Sequence, residues 1–335
     1  MTVPVAPPAV VAEGPWFDEF EPGQRFDRVP SVTLTSGMAA VHQSIVGDRL
    51  RLALDDELAR AVTGRAPLAH PGLVCDVAIG QSTLATHLVR ANLFYRGLVL
   101  HRLPSIGDTL HTTSEVVGLR QNQPRPGRPD TGLVALRMTT RDSADRLVLD
   151  FLRCAMVPLR GLPRVQHVDV LDDIATPPVP GPGAVVGDWD LAAFRARTAA
   201  ADPPAVGTVW EIGGGDVVSS APELARLTLN VANAHHDARR AGGRRLVYGG
   251  HTIGLAFAQA CRALPDLVTV LRWHSCDHVG PVHEGDTLRS RLTVERVDAL
   301  PGGGFAAHLR SEVSADGEGV EARPVLDWRF TALHP

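Results

Sequence analysis

The string Gly107-Asp108-Thr109-Leu110 returns as Gly285-Asp286-Thr287-Leu288, 178 positions later. Each copy follows a Pro-containing stretch and opens an alternating apolar run, so the chain reads as one structural plan used twice. In the first copy, Phe17 to Phe26 is expected as an entering strand, and Thr35 to Val46 as a short helix capped by Thr35 or Ser36. A longer helix is expected over Leu73 to Leu88, because Leu73, Val77, Leu84 and Leu88 fall at helical spacing. Four β-rich runs come next: Asn92 to Arg102, Thr109 to Leu119, Gly132 to Thr140 and Leu147 to Pro158. The second copy repeats the order, with a strand near Val209, a helix from Ala221 to Asn233 and a long helix from Thr252 to Ala263. Strands over Leu267 to His278, Thr287 to Val297, Phe305 to Val313 and Ala322 to Ala332 complete it. A long helix followed by an antiparallel meander, twice over, is an α+β architecture.

The boundaries come from breaks in this order. Residues 1–15 are expected to be a disordered tail, since Pro4, Pro7 and Pro8 oppose regular pairing. Residues 16–160 form the first repeat and 207–335 the second. Between them, 161–206 reads as a stiff exposed linker because of Pro177, Pro178, Pro180 and Pro182.

A net charge of −4 supplies no basic field, so neither nucleic acid nor an anionic membrane surface is expected as a partner. All 33 basic residues are Arg, so any anion held by a basic side chain is held by a guanidinium fork. Cys75, Cys154, Cys261 and Cys276 lack C-x-x-C spacing, which points away from a disulfide framework or a zinc ribbon. No basic signal-peptide start and no run of about 18 apolar residues is present, so a cytoplasmic location is expected.

Polar chemistry concentrates between Leu229 and Ala256. Asn230, His235 and Asp237 precede a Gly/Arg turn, and Tyr248-Gly249-Gly250 runs directly into the second long helix. A histidine can serve as general base near neutral pH, and glycine at a helix mouth leaves N–H groups free to hold an oxyanion.

This spacing resembles the motif of MaoC-type enoyl-CoA hydratases. There an acidic residue is followed five positions later by His, then x-Asp, then a Gly at the mouth of the central hot dog helix. The slots hold Asn230, His235, Asp237 and Gly250 here, and the run from Gly243 to His251, G-R-R-L-V-Y-G-G-H, is most similar to the two-repeat branch of mesaconyl-CoA (2-methylfumaryl-CoA) hydratases. The resemblance extends from about Phe17 to Phe330. It implies a double hot dog fold, assembly as a homodimer or higher homo-oligomer, and hydration or dehydration of a short branched dicarboxylyl-CoA. His235 would be the base and then the proton donor, Asn230 would position water, and Gly250 with Gly249 would polarise the thioester. Because Asn230 replaces the usual acid and an amide cannot exchange a proton, one ionisation in the neutral range is expected, that of His235. Coenzyme A enters as part of the substrate, and no metal or other cofactor is expected.

In the first repeat the position matching His235 is Ala53, while Asp48-Arg49 remains where the motif would sit. Arg49, Arg65, Arg244 and Arg245, with Tyr248, are candidates to hold the substrate, the guanidinium groups by gripping a carboxylate. Arg120, Arg125 and Arg128, in a Pro/Gly loop between two strands, are candidates for the phosphates of coenzyme A; a solvated hairpin loop is the plainer alternative. His274, Cys276 and His278 alternate along a strand beside Asp277 and His283, but in-line spacing does not by itself assemble a metal site. Two other functions share the fold: a hot dog acyl-CoA thioesterase, and an acyl-thioester binding protein without activity.

Overall fold

The computed structural model describes residues 12–65, 67–161, 167–171, 174, 181, 183–317 and 320–335. Its helices are α1 (Ser36–Val46), α2 (Arg51–Leu54), α3 (Asp56–Thr63), α4 (Pro71–Ser82), α5 (Gly183–Val186), α6 (Leu191–Thr198), α7 (Ala221–Leu227), α8 (Asn233–His236) and α9 (Gly249–Ala263). The strands of the first half are β1 (Arg25–Phe26), β2 (Val32–Thr33), β3 (Ala91–Leu100), β4 (Thr109–Gln121), β5 (Thr131–Asp142) and β6 (Leu147–Pro158). Those of the second are β7 (Val209–Glu211), β8 (Asp216–Val217), β9 (Thr269–His278), β10 (Thr287–Ala299), β11 (Phe305–Gly317) and β12 (Val320–His334).

Among the described residues all twelve strands join one antiparallel sheet in the order β1-β4-β5-β6-β3-β9-β12-β11-β10-β7, with β2 on β4 and β8 on β10. The order is a palindrome about the β3–β9 seam, where Tyr95 lies opposite Cys276 and Leu98 opposite Trp273. This is a double hot dog: two long helices, α4 and α9, lie side by side against one shared sheet. Nearly every residue of α4, and Gly250 to Cys261 of α9, is buried, which is why neither helix has a polar face.

The offset seen in the sequence is a structural equivalence. Gly107 and Gly285 have φ of +102° and +91°, and each following Asp accepts from a backbone N–H three residues back, Ser105 for Asp108 and His283 for Asp286. Gln81 at the end of α4 donates to the Leu110 carbonyl (3.1 Å), and Gln259, 178 positions on, donates to that of Leu288 (2.9 Å). Pro71 and Gly249, the first residues of α4 and α9, keep the same offset.

Several expectations are corrected. Phe17 to Phe26 is not a strand: Phe17–Glu19 is a 3-10 turn closed by Glu19, which accepts from the Trp16 N–H, and only Arg25–Phe26 pairs. The first long helix stops at Ser82 instead of Leu88, because the Ser82 and Thr83 hydroxyls donate back to the Ile79 and Gly80 carbonyls; Leu84 is exposed. In the 161–206 segment the four prolines lie outside the described residues, but the part from Gly183 onward is folded and packed instead of being a bare linker. Asp190 caps α6, and Trp189, Leu191 and Phe194 are buried in the core. Of the expected tail, residues 1–11 lie outside the described part, whereas Gly14 donates to His87 Nδ1 (3.1 Å).

Candidate active site

The second-repeat helix foreseen from Ala221 to Asn233 breaks after Leu227. The Thr228 hydroxyl donates back to the Leu224 carbonyl, and Leu229 takes a left-handed φ of +58°. The break turns the chain across α4, where a Cβ at Gly80 would collide with the Thr228 carbonyl, so glycine permits the close approach. Thr83 Oγ1 then accepts from Val231 N–H (2.9 Å). Asn230 is thereby buried against the other repeat, 2% exposed. Its Oδ1 accepts from Ala232 N–H (3.0 Å), and its Nδ2 has no partner among the described residues.

One turn on, in α8, His235 Nδ1 lies 3.0 Å from the Leu246 carbonyl. A carbonyl can only accept, so Nδ1 carries the proton and Nε2 is left with a free lone pair. The ring stands edge-on to Tyr248. Burial pushes the His235 pKa down to about 4, against the Leu246 hydrogen bond that raises it and with His236 and Arg153 adding to the depression. His236 is turned elsewhere and donates through Nε2 to the Asn230 carbonyl (2.6 Å). Asp237 is exposed and accepts from Arg239 N–H, away from the site.

Tyr248 is the N-cap of α9, and its hydroxyl donates to Asp76 Oδ1 on α4 (3.0 Å), tying the two helices together. Asp76 Oδ2 in turn faces His42 Nε2 at 3.2 Å. Gly249 and Gly250 are the first two residues of α9, whose opening N–H groups have no acceptor in the helix and carry the positive end of its dipole. They face different ways. A Cβ on Gly249 would lie 2.6 Å from His278 Nε2, whereas one on Gly250 would strike the Asp76 carboxylate.

A cavity of about 320 Å³ collects these groups. His235, Asn230, Tyr248 and Gly249 line it together with Tyr95, Asn92, Arg153 and His278, and apolar walls come from Ile79, Val89 and Val247. Of the two helix-mouth glycines expected at the site, Gly249 is on its lining and Gly250 is not. Neither Arg49, Arg65, Arg244 nor Arg245 reaches the cavity, contrary to the expectation that one of them holds the substrate. Arg49, Arg244 and Arg245 are exposed, the last beside Glu284, and Arg65 donates to the Leu103 carbonyl. Arg120, Arg125 and Arg128 do come together, along a separate groove of about 830 Å³ that shares Arg90 with the cavity's lining. His274, Cys276 and His278 diverge: Cys276 is in the core, His274 bonds Thr331, and His278 faces the cavity.

No family model matches the chain. A conserved hypothetical protein from Mycobacterium tuberculosis, whose solved structure is described as a double hot dog fold, is 56% identical, with a TM-score of 0.88 over 96% of this chain and 99% of that one. A MaoC domain protein dehydratase from Chloroflexus aurantiacus is 27% identical, with a TM-score of 0.85 over 98% of this chain and 99% of that one. The chain belongs to the MaoC-like double hot dog family. Two curated relatives span this MaoC-like protein nearly end to end. The β-methylmalyl-CoA dehydratase of Chloroflexus aurantiacus is 29% identical over 96% of this chain and 97% of its own, and the mesaconyl-CoA hydratase of Cereibacter sphaeroides 28% over 89% and 88%. These named relatives are hydro-lyases of CoA thioesters.

Sequence reasoning missed several cavity residues of this MaoC-like protein, among them Arg153 on β6, Asn92 and Tyr95 on β3, and Arg90 just before β3. One signal was present, an arginine inside the apolar run Leu147 to Pro158. His278 stands out in the sequence only for its alternation with His274 and Cys276. No helix among the described residues is long and apolar enough to cross a membrane.

Proposed function

We propose that the protein adds water across, or removes it from, the double bond of a short branched dicarboxylyl enoyl-CoA of the mesaconyl type. The observation that carries this reading is the placement of His235, its Nε2 lone pair free, on the same small cavity as the mouth of α9. In the hydration direction His235 Nε2 takes a proton from water as the water oxygen bonds to Cβ. The electron pair moves onto the thioester oxygen, where the Gly249 N–H at the positive end of α9 holds the enolate, a donor commonly contributing about 3 kcal/mol. His235 then returns its proton to Cα, so the product gains one water and the base is regenerated. The unpartnered Asn230 Nδ2 is available to orient the water or the thioester.

Coenzyme A belongs to the substrate and would lie along the groove of Arg90, Arg120, Arg125 and Arg128, which meets the cavity at Arg90. Guanidinium groups suit its phosphates. A cavity near the low end of the size range for small ligands fits a short acyl group.

The test is a panel of mesaconyl-, crotonyl- and itaconyl-CoA, followed by loss of the enoyl-thioester absorbance. Hydration of mesaconyl-CoA is expected to be the fastest. Release of free CoA, detected with a thiol reagent, would instead make the protein a thioesterase, and tight binding with neither reaction would make it a binding protein.

A further inference from the structure

Arg153 is 3% exposed, and among the described residues no carboxylate lies within ion-pair distance of it. The acid on its own strand, Asp150, is engaged by Arg137, and that on β9, Asp277, by Arg96. Its two protein acceptors are neutral: Nε donates to Asn92 Oδ1 (2.7 Å), and Nη1 donates to Ser82 Oγ, whose own proton goes to the Ile79 carbonyl. Nη2, the far tine of the fork, has no acceptor among the described residues. A guanidinium has no acceptor of its own, so Asn92 must present Oδ1 to it, and this turns Nδ2 away. Nδ2 is buried and, among the described residues, unpartnered as well.

Both unfilled donors therefore belong to residues that line the cavity holding His235. Neither donor has an acceptor among the described residues, and an acceptor-only anion can take both at once with a charge-assisted bond to the guanidinium. We propose that Arg153, with the Asn92 amide beside it, is the anchor for the free carboxylate of the acyl group, and so selects dicarboxylyl over neutral enoyl thioesters. The proposal rests on the hydratase reading for its substrate class.

The chemistry of the substrate asks for an anchor in this place. In a fumaryl-type thioester the carboxylate is bonded to Cβ itself, the carbon that receives water, so its anchor must stand beside the base. Arg153 is close enough to His235 and His278 for its charge to contribute to holding both imidazoles neutral. A guanidinium there also offsets the repulsion between the carboxylate and the oxygen arriving at the next atom. The fold supplies an internal control: Arg153 lies opposite Tyr95 in the sheet, and the matching pair in the other repeat is Phe330 opposite Trp273. An apolar residue is thus what this position holds where no cavity has to bind an anion.

Two measurements separate failure of the anchor from failure of the hydratase reading. In the first, kcat/KM for mesaconyl-CoA and crotonyl-CoA is compared in wild type, Arg153→Met and Asn92→Asp, the last placing a carboxylate of the protein's own against Arg153. Wild type is expected to prefer mesaconyl-CoA by roughly 10³-fold. Each variant should lose at least about 100-fold on mesaconyl-CoA and much less on crotonyl-CoA, so that the preference collapses. Equal losses on both substrates, with the preference intact, would overturn the proposal and leave Arg153 a structural residue.

In the second, calorimetry compares binding of succinyl-CoA and butyryl-CoA, saturated thioesters that offer no double bond to hydrate. The succinyl preference of wild type should vanish in both variants, whether or not the protein proves to be a hydratase. A preference that survives, or is absent from wild type, would sink the anchor even if mesaconyl-CoA is turned over. Should Arg153→Met fail to fold, Asn92→Asp, which removes no side-chain volume, decides both comparisons.

Discussion

The two helix mouths occupy equivalent places in the palindromic sheet and have opposite contents. At the mouth of α9 lies the 320 Å³ cavity. At the mouth of α4 the corresponding space has shrunk to about 20 Å³. The 178-residue offset carries the lining of one onto the other: Ile79 becomes Phe257, Tyr95 becomes Trp273, His278 corresponds to Leu100, and Gly249 to Pro71. The filled side is an aromatic stack, with Trp328 against Phe330 at 3.9 Å and Phe257 edge-on to both. The polar motif diverges in the same way. Asp48 makes the turn that Asn230 makes, accepting from Leu50 N–H as Asn230 accepts from Ala232 N–H, but Asp48 faces His70 at 2.9 Å instead of an open space. Burial pushes the Asp48 carboxyl up, and His70 and the Leu50 N–H more than offset it, holding the carboxyl below its ordinary range. Where His235 stands in the second repeat, the first has Ala53 in α2. One mouth keeps unsatisfied polar groups around a void, and the other closes its polar groups on each other and packs the void with rings. Duplication thus leaves one helix mouth open, on a cavity that both copies line, while the equivalent mouth is packed shut.

The contrast can be broken most directly at His235. His235→Ala should lower kcat for hydration by about 10³ to 10⁴-fold with the melting profile retained, since a positioned base commonly contributes that much; near-normal turnover would place the base elsewhere. His236→Ala, one residue away but turned toward the Asn230 carbonyl, should lose far less.

On the filled side Phe257→Ala should cost about 3–5 kcal/mol in denaturant unfolding, because it opens a cavity in the aromatic stack. The specificity pattern across the enoyl-CoA panel should survive it. A cost below about 1 kcal/mol would mean that this region is not the rigid counterpart described above.

Gly249→Ala sharpens the comparison at a single atom. Its Cβ would sit 2.6 Å from His278 Nε2, so the ring or the helix mouth must shift, and kcat should fall about 100-fold, as for loss of one oxyanion donor. Gly250→Ala should act through stability, since its Cβ meets the Asp76–Tyr248 tie between the helices.

The smallest effect expected is that of pH on activity. A solvated His235 would give a rate rising through neutral pH, the behaviour its sequence context suggests. Burial moves the ionisation to about 4, so kcat/KM should change less than about twofold between pH 6 and 8. Stability shows the same groups. His235, His251 and His278 are each pushed down to about 4, chiefly by burial, whereas the unfolded chain titrates near 6.5. Below 6.5 the unfolded state binds more protons than the folded one. Their contribution is therefore fully present above that pH and is lost as pH falls toward 4, which acid titration of the unfolding free energy checks.

Local chemistry was readable wherever it is contiguous. Thr35, one of the two caps expected, is the one that closes α1, and Leu147–Pro158 is a strand over its whole expected length. Asn230, His235, Tyr248 and Gly249 fall within one window of the chain and meet at one cavity. The misreadings arose where a side chain competes with the backbone, as at Ser82 and Thr83, or where buried residues come after a Pro-rich run, as at Trp189 and Phe194.

By itself, then, the sequence determined the doubling of an α+β unit and the half that holds a histidine motif, since repeats, caps and glycine turns are written in adjacent residues. Only the tertiary structure decided which glycine meets the cavity, that the four expected arginines lie outside it, and that Arg153 lies within. Arg153, Asn92, Ser82 and His278 come from β6, β3, α4 and β9, and nothing in their spacing relates them. Sheet register and the closure of two repeats around a common core bring them together, and burial there gives a lone guanidinium and the imidazoles of His235 and His278 properties that no isolated peptide would have.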